Sequence, residues 1–396
     1  MRVISLIVLG HILISCSSRL GVFARPTARN LPSGITKEDD VLLLDAPGFP
    51  DPKDPRRTLA AFQLYVFKKG EPKENKKTNP IVLAVAKLLS LKEDDFNDGK
   101  EILKDRSKLF NVKGQEGKTV DIRVPECSGR VSLLATPDKS MPGFIYRNPS
   151  IGNCGHGLSN TAAELVLRDK RKISATVYIS PNEDSGLYPE EERKLIFGLV
   201  LLDIDETIKV TKGLKFGTLQ NTFLEKPQPI QDMPELYASL SKPLDSPIFI
   251  YVSASMVQLY PFLRGFIHDW FRPAIGPVFL RKFTFKNVFG IFSFPRSKEA
   301  LNYKLSVIDD IHGMYPNKKF LAVGDSTQKD PEVYATAFVK YENWITCIWI
   351  PLVDNTKKSD KRFKTAFAKV PQDRYRLFTD SEILDMRRID VAGGKC

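Results

Sequence analysis

Histidine is scarce in this chain, with four in 396 residues against 47 Asp+Glu and 59 Lys+Arg. No second histidine stands at ligand spacing from His156, so the Gly/Asn-rich run 148–160 (NPSIGNCGHGLSN) reads as a loop and not as a histidine metal centre. Cysteine is thin as well, five in all, and Cys16 falls in the N-terminal apolar run while Cys396 is the last residue. Of the other three, Cys347 sits inside an apolar, strand-like run and reads as a buried thiol. Cys127 and Cys154 lie in glycine-rich loops and can pair in an oxidising compartment, although spacing alone does not fix the pairing. A membrane-length apolar run is missing: Val3–Ser15 has thirteen residues, interrupted by Ser5, Gly10 and His11, and is too short to span a bilayer. The positive charge has no nucleic-acid recognition motif beside it, which argues against a nucleic-acid partner.

What is present suits two globular domains. The chain is 42% hydrophobic and carries a net charge of +12 (59 − 47), a balance that favours anionic partners such as phospholipid or phosphorylated substrate. Arg2 followed by Val3–Ser15 is a targeting segment, so residues 1–24 are set aside as a signal peptide. Two exits compete: cleavage after Val22-Phe23-Ala24, or lipidation of Cys16 in Leu13-Ile14-Ser15-Cys16. Both give an exported chain, secreted or periplasmic.

Residues 25–40 form a Pro/Ser/Thr/Arg linker. Strands are expected at Val41–Leu44, Ala60–Phe67, Thr119–Val124, Val131–Ala135, Glu164–Leu167 and Ile173–Ser180, the last two as a hairpin about Asp169-Lys170. Residues 46–52 (APGFPDP) read as a loop, and helical periods mark Ile81–Leu91 and Lys100–Phe110. Residues 41–190 therefore form a β-rich domain with a helical insertion, bounded at Ser185–Glu192. A second domain occupies 191–385, and 386–396 is a tail.

The second domain opens on Leu195–Thr211 (LIFGLVLLDIDETIKVT). The apolar run Ile196–Leu202 is too short for a typical helix and stops at Asp203, as a buried parallel strand does. Asp203, Asp205 and Thr207 follow at spacing two, where strand ends of open α/β sheets meet their ligands. Two such carboxylates can hold one hard cation, and Mg²⁺ prefers carboxylate oxygen. An aspartate can also attack a phosphoryl group while its neighbour moves a proton.

Further strands at Ile248–Val252, Val278–Phe283, Phe320–Val323 and Ile345–Ile350 alternate with helices at Met233–Ser241, Val257–Asp269, Ser297–Ile311 and Pro331–Lys340. Strand ends fall at Ser253, in Ser253-Ala254-Ser255, and at Gly324-Asp325, with Asp330 five residues on. The ordinary role of Ser253 is to cap the following helix, and that of Lys304 is a solvated charge. Taken together, two carboxylate strand ends, a hydroxyl strand end and a lysine are what metal-assisted phosphoryl transfer requires.

Those residues resemble the four motifs of the haloacid dehalogenase superfamily. The second domain resembles the actin-patch-associated phosphatidate phosphatase family, through LLDIDETIKVT (201–211), LYASL with PIFIYVSASMVQLYPFLRGF (237–266), FLRKF (279–283), YKLSVI (303–308) and KFLAVGDSTQKDPEVYA (319–335). The resemblance implies an α/β fold: a Rossmann-like haloacid dehalogenase domain with a parallel sheet, preceded by the β-rich domain. It implies a Mg²⁺-dependent phosphatase that converts phosphatidate to diacylglycerol and phosphate through an aspartyl-phosphate. Asp203 would be nucleophile and metal ligand, and Asp205 the acid/base with its carbonyl on the metal. Ser253 or its neighbour Ser255 would hold the phosphoryl group, and Lys304 would neutralise it. Asp325 would complete the metal site, with Asp330 and Thr207 in support. Glu206, Met256-Val257 and Pro351 depart from the family pattern near the substrate entrance and leave lipid specificity open. The alternatives are a soluble phosphomonoester as substrate, or a catalytically silent membrane-binding protein. Lys357–Lys364 (KKSDKRFK), with Phe363 and Phe367 exposed, would suit an anionic membrane surface.

Overall fold

A strand buried on both faces needs apolar side chains at every position, and the described residues of the C-terminal half build five strands of that kind or near it, with Tyr375–Phe378 added at an edge. The computed structural model describes residues 33–69, 99–110, 112–135, 141–155, 157–180, 199–205, 207–209, 222–241, 244, 247–282, 298–353 and 355–396. The signal segment with Cys16 and Ala24, the helix expected at Ile81–Leu91, His156, the boundary near Ser185–Glu192 and Glu206 lie outside the described residues. Pro32–Cys396 form one unit, so the two lobes described next share one body.

The N-terminal lobe contains β1 (Ser33–Gly34), β2 (Asp39–Leu43), β3 (Ala46–Asp51), β4 (Asp54–Ala60), β5 (Phe62–Lys68), helix α1 (Lys100–Ser107), β6 (Lys113–Gly114), β7 (Lys118–Val124), β8 (Gly129–Leu134), β9 (Phe144–Arg147), β10 (Ser150–Gly152), β11 (Asn160–Val166) and β12 (Lys172–Ile179). One sheet runs β1-β7-β11-β12-β3-β4-β10 with β8 on β7; a smaller one runs β2-β5-β6 with β9 on β5. Val41, Phe62, Leu64 and Val66 of the smaller sheet meet Val120, Ile122, Leu165 and Val177 of the larger in one core.

Two expectations change here. The 46–52 loop is strand β3, parallel to β12 and antiparallel to β4. Pro47 lacks an N–H, but its carbonyl still accepts from Ala61 N at 3.0 Å, so it keeps a place in the ladder. The single strand expected at 60–67 is two strands: the chain leaves the larger sheet at Ala60 and enters the smaller at Phe62. The hairpin about Asp169-Lys170 forms, with Lys170 at φ 69° and its N–H donating to Leu167 O at 2.9 Å. Cys127 and Cys154 are disulfide-bonded.

The C-terminal lobe alternates β13 (Leu199–Leu202), α2 (Met233–Ser241), β14 (Ile248–Met256), α3 (Tyr260–Trp270), β15 (Val278–Arg281), α4 (Lys298–Met314), β16 (Phe320–Val323), α5 (Asp330–Lys340), β17 (Ile345–Pro351), α6 (Lys361–Ala366), β18 (Tyr375–Phe378) and α7 (Ile383–Met386). All six strands are parallel, in the order β15-β14-β13-β16-β17-β18. Val200, Leu202, Tyr251, Val323 and Trp349 pack on α2, α3 and α7. Their alternates Leu201, Ile250, Ala322 and Ile348 pack on α4, α5 and α6. Covered on both sides, the strands lose polar alternation and read as continuous apolar runs.

Two sequence expectations fail in this lobe. Cys347 is not a free thiol but is bonded to Cys396, which draws the 386–396 segment against the sheet, where Met386 and Val391 are buried. Phe363 and Phe367 are not exposed: at 2% and 3% accessibility they belong to the core beneath α6, so they cannot face a membrane.

The lobes meet through Asp45. Its carboxylate accepts from Arg264 Nε at 2.8 Å and Thr176 N at 2.7 Å, and its own N–H donates to the Tyr260 hydroxyl at 2.7 Å. Tyr315 OH adds a bond to Gly48 O at 3.0 Å.

Candidate active site

The sheet order reverses direction between β13 and β16, the neighbours at its centre. In open parallel sheets, ligands bind at the carboxyl ends beside that reversal. Asp203 follows Leu202 there, and its N–H donates to Val323 O of β16 at 3.0 Å. Ile204 O then accepts from both Ile208 N and Lys209 N at 3.1 Å, which holds Ile208 and Lys209 close over the strand end. Ile204 and Ile208 are fully buried, which anchors these bonds.

Lys304, carried by α4 and 1% exposed, points its ammonium at the carboxylates. Its Nζ lies 2.9 Å from Asp203 Oδ1 and also bonds Asp330 Oδ1. Lys304 therefore does not take the ordinary role of a helical lysine, a solvated charge. Asp330 Oδ2 accepts the Asp325 N–H at 3.1 Å. Asp325 Oδ1 accepts from Thr327 Oγ1 at 2.6 Å, from Gln328 N at 2.8 Å and from Thr327 N. Gly324 is required beside this knot, because a Cβ there would lie 2.6 Å from Asp330 Oδ2 and from the Tyr334 ring.

Asp205 is held apart from that cluster by its own partners. Oδ1 lies 3.0 Å from Nζ of Lys209, itself buried, and Oδ2 accepts from Ser255 Oγ at 2.8 Å and Ser253 Oγ at 3.4 Å. Neither serine caps a helix: β14 runs on to Met256, and the turn after it has no side-chain cap. Ser253 Oγ instead accepts the Ser255 N–H at 3.0 Å. The Asp205 carbonyl, expected on a metal, accepts Gln328 Nε2 at 3.2 Å. Thr207 is buried, and its hydroxyl finds no hydrogen-bond partner among the described residues.

Burial drives the Asp203 carboxyl well above its ordinary range; Asp330, Asp325 and Asp205 add to the rise, with Lys304 pulling the other way. Burial, reinforced by Asp330, pushes Asp325 up to about 7. For Lys304, burial would lower the ammonium, but Asp203, Asp330 and Asp325 outweigh it and raise it above its ordinary value. At Asp205 burial is overcome by Lys209 and by bonds from Lys209 and Ser255, so its carboxyl stays below the usual range.

A divalent cation fits this donor set. Ligand oxygens of Asp203, Asp325 and Asp330 lie within 4.8 Å of one another, all three residues buried. Asp203 Oδ2 and Asp325 Oδ2 are sealed from solvent without a hydrogen bond, which would be expensive for a carboxylate left with no counter-charge. Raised proton affinity on both marks a cluster short of positive charge, and all-oxygen donors suit a hard ion.

The structure thus gathers Asp203, Asp205, Ser253, Ser255, Lys304, Asp325 and Asp330 at one rim, with Thr207 in the turn beneath. Sequence reasoning passed over Lys209, Gln328 and Arg362. Lys209 carried a faint signal, a lone lysine between apolar neighbours in IKV; the other two carried none. A doubly covered parallel sheet that collects carboxylates, hydroxyls and a buried lysine at one end is an α/β domain with a rim that could hold a metal ion.

Residues 199–351 match the family model described as "Phosphatidate phosphatase APP1, catalytic domain". The chain is also 33% identical over 165 residues to phosphatidate phosphatase APP1 of Saccharomyces cerevisiae, a match covering 40% of this chain. It spans only 27% of the yeast protein's length.

Proposed function

We propose that this protein is a Mg²⁺-dependent phosphatidate phosphatase of haloacid dehalogenase type, releasing diacylglycerol and phosphate. The observation that carries the reading is the Asp203–Lys304–Asp330–Asp325 cluster at the sheet reversal, inside the segment that matches the phosphatidate phosphatase family. Ser253 donates to a phosphoryl oxygen and Lys304 balances its charge, while Ser255 steadies Asp205. A carboxylate oxygen of Asp203 attacks phosphorus, the ester oxygen leaves, and an aspartyl-phosphate forms on Asp203. Asp205 supplies the proton to the departing diacylglycerol oxygen, because the incoming phosphoryl charge raises its proton affinity above the resting state. Asp205 then takes a proton from water as that water attacks the aspartyl-phosphate, which restores Asp203. Mg²⁺ held by Asp203 and Asp325 would supply charge neutralisation at the phosphoryl oxygens.

Export is part of the reading. The short apolar segment after Arg2 supports it, as do the Cys127–Cys154 and Cys347–Cys396 disulfides, which persist in oxidising compartments. Among the described residues, no helix is long and apolar enough to cross a membrane. A lipid substrate implies work at an anionic bilayer surface, which the net charge of +12 favours.

Phosphate release from phosphatidate in mixed micelles and from p-nitrophenyl phosphate, each with and without Mg²⁺, tests the reading. Mg²⁺-dependent release from phosphatidate supports it. Release from the soluble ester alone would move the substrate to another phosphomonoester, and no release from either would refute a phosphatase.

A further inference from the structure

The acidic loop from Asp325 to Asp330 is held from outside by a side chain that belongs to none of the catalytic motifs. Arg362, on α6, donates from one guanidinium nitrogen to Ser326 O and from another to Gln328 O. The same guanidinium grips Glu332, in the first turn of α5, with Nε 2.9 Å from Oε1 and Nη2 2.7 Å from Oε2. A second tie lies alongside: Ser326 Oγ accepts the Val353 N–H at 2.8 Å and is 2.8 Å from Thr356 Oγ1. Phe363 and, just past the helix end, Phe367 pin α6 into the core.

We propose that Arg362 and Glu332 form a positioning clamp that sets the geometry of the metal-binding carboxylates; the inference rests on the phosphatase reading above. The linkage is short. Arg362 fixes the carbonyl of Gln328, whose N–H orients Asp325 Oδ1 and whose side chain bonds the Asp205 carbonyl. The clamp therefore reaches both halves of the site, one through the loop's backbone and the other through Gln328. A planar guanidinium can serve two carbonyls and one carboxylate at once, whereas a lysine at 362 offers a point charge and cannot. The basic run Lys357–Lys364 thus turns one of its charges inward, and that charge acts on the loop and not on a lipid surface.

The test uses the full chain with Arg362→Met, Arg362→Lys, Glu332→Gln and, as a control on the same helix, Thr365→Ala, whose hydroxyl bonds Lys361 O. Amide hydrogen exchange is read at Thr327 and Gln328, and the Mg²⁺ concentration for half-maximal p-nitrophenyl phosphate hydrolysis is titrated. The clamp predicts roughly tenfold loss of protection at those two amides in Arg362→Met, with β16 unchanged. It also predicts a roughly tenfold rise in half-saturating Mg²⁺, with the ester KM unchanged at saturating metal. Arg362→Lys and Glu332→Gln fall between wild type and Arg362→Met, and Thr365→Ala matches wild type. Wild-type protection and a wild-type Mg²⁺ midpoint in folded Arg362→Met would overturn the clamp; if that variant unfolds, the same two readouts on Glu332→Gln decide. A wild-type chain inert to every ester would defeat the phosphatase reading, and hydrogen exchange would still decide whether Arg362 orders the loop.

Discussion

Lys304 Nζ stands 2.9 Å from Asp203 Oδ1, with both side chains almost sealed from solvent. The pair joins helix α4 to the end of the central strand, and Lys304 also holds Asp330, so one ammonium serves two carboxylates. Replacing it with methionine leaves those carboxylates buried without their nearest counter-charge. Lys304→Met is expected to lose about 3 kcal/mol of stability in urea unfolding without metal, with part of the loss recovered on adding Mg²⁺. Phosphate release should fall by about 10² to 10³.

The two serines at the end of β14 separate into different roles. Ser255 Oγ donates to Asp205 at 2.8 Å, while the longer 3.4 Å contact leaves Ser253 freer to turn toward a phosphoryl oxygen. Ser253→Ala should raise KM and lower kcat, together cutting kcat/KM by about 10². Ser255→Ala should lower kcat by about tenfold with little change in KM. Steady-state kinetics on one soluble ester separates the two patterns.

Acid sensitivity of the N-terminal lobe is expected to run through Asp39. Burial would raise its carboxyl, but hydrogen bonds from the Thr36 hydroxyl and amide and the Lys118 ammonium, 2.9 Å away, hold it below 3.8. A group whose folded value lies below its unfolded one adds stability that is complete above the unfolded value and disappears as pH falls through the folded one. Wild type should therefore lose stability below about pH 4, and Asp39→Asn should be weaker at neutral pH with a shallower slope in that range. Urea midpoints measured from pH 7 to pH 2.5 check both slopes.

The Cys347–Cys396 bond closes 49 residues between β17 and the end of the chain. Loop-closure entropy of that span makes the bond worth about 4 kcal/mol. Cys396→Ser should lower the thermal midpoint by several degrees, and reductant should bring wild type toward the variant. A midpoint that reductant leaves unmoved would mean that the bond does not form in solution.

Much of the C-terminal lobe was legible because burial on both faces writes a strand as an unbroken apolar run, as in Phe320–Val323, and three of the runs stop at polar residues, Asp203, Ser253 and Asp325. The residues gathered at that rim were legible for the same reason. The N-terminal lobe was harder: Pro47 and Pro50 look like loop residues, and only the carbonyl of Pro47 in the ladder explains β3. Phe363 and Phe367 looked exposed because lysines surround them in sequence, whereas the short helix turns them into the core. Cys347 could not reveal a partner 49 residues away, since pairing depends on distance in space. Lys209, Gln328 and Arg362 escaped because their roles arise from backbone carbonyls and carboxylates brought close only by the fold.

Asp203 as the nucleophile that accepts the phosphoryl group is tested most directly by Asp203→Asn, which changes its shape almost not at all. With Mg²⁺ present, the variant should release phosphate at about 10³-fold below wild type or slower, while keeping a wild-type circular dichroism spectrum. Turnover within a few-fold of wild type in that folded variant would contradict the account.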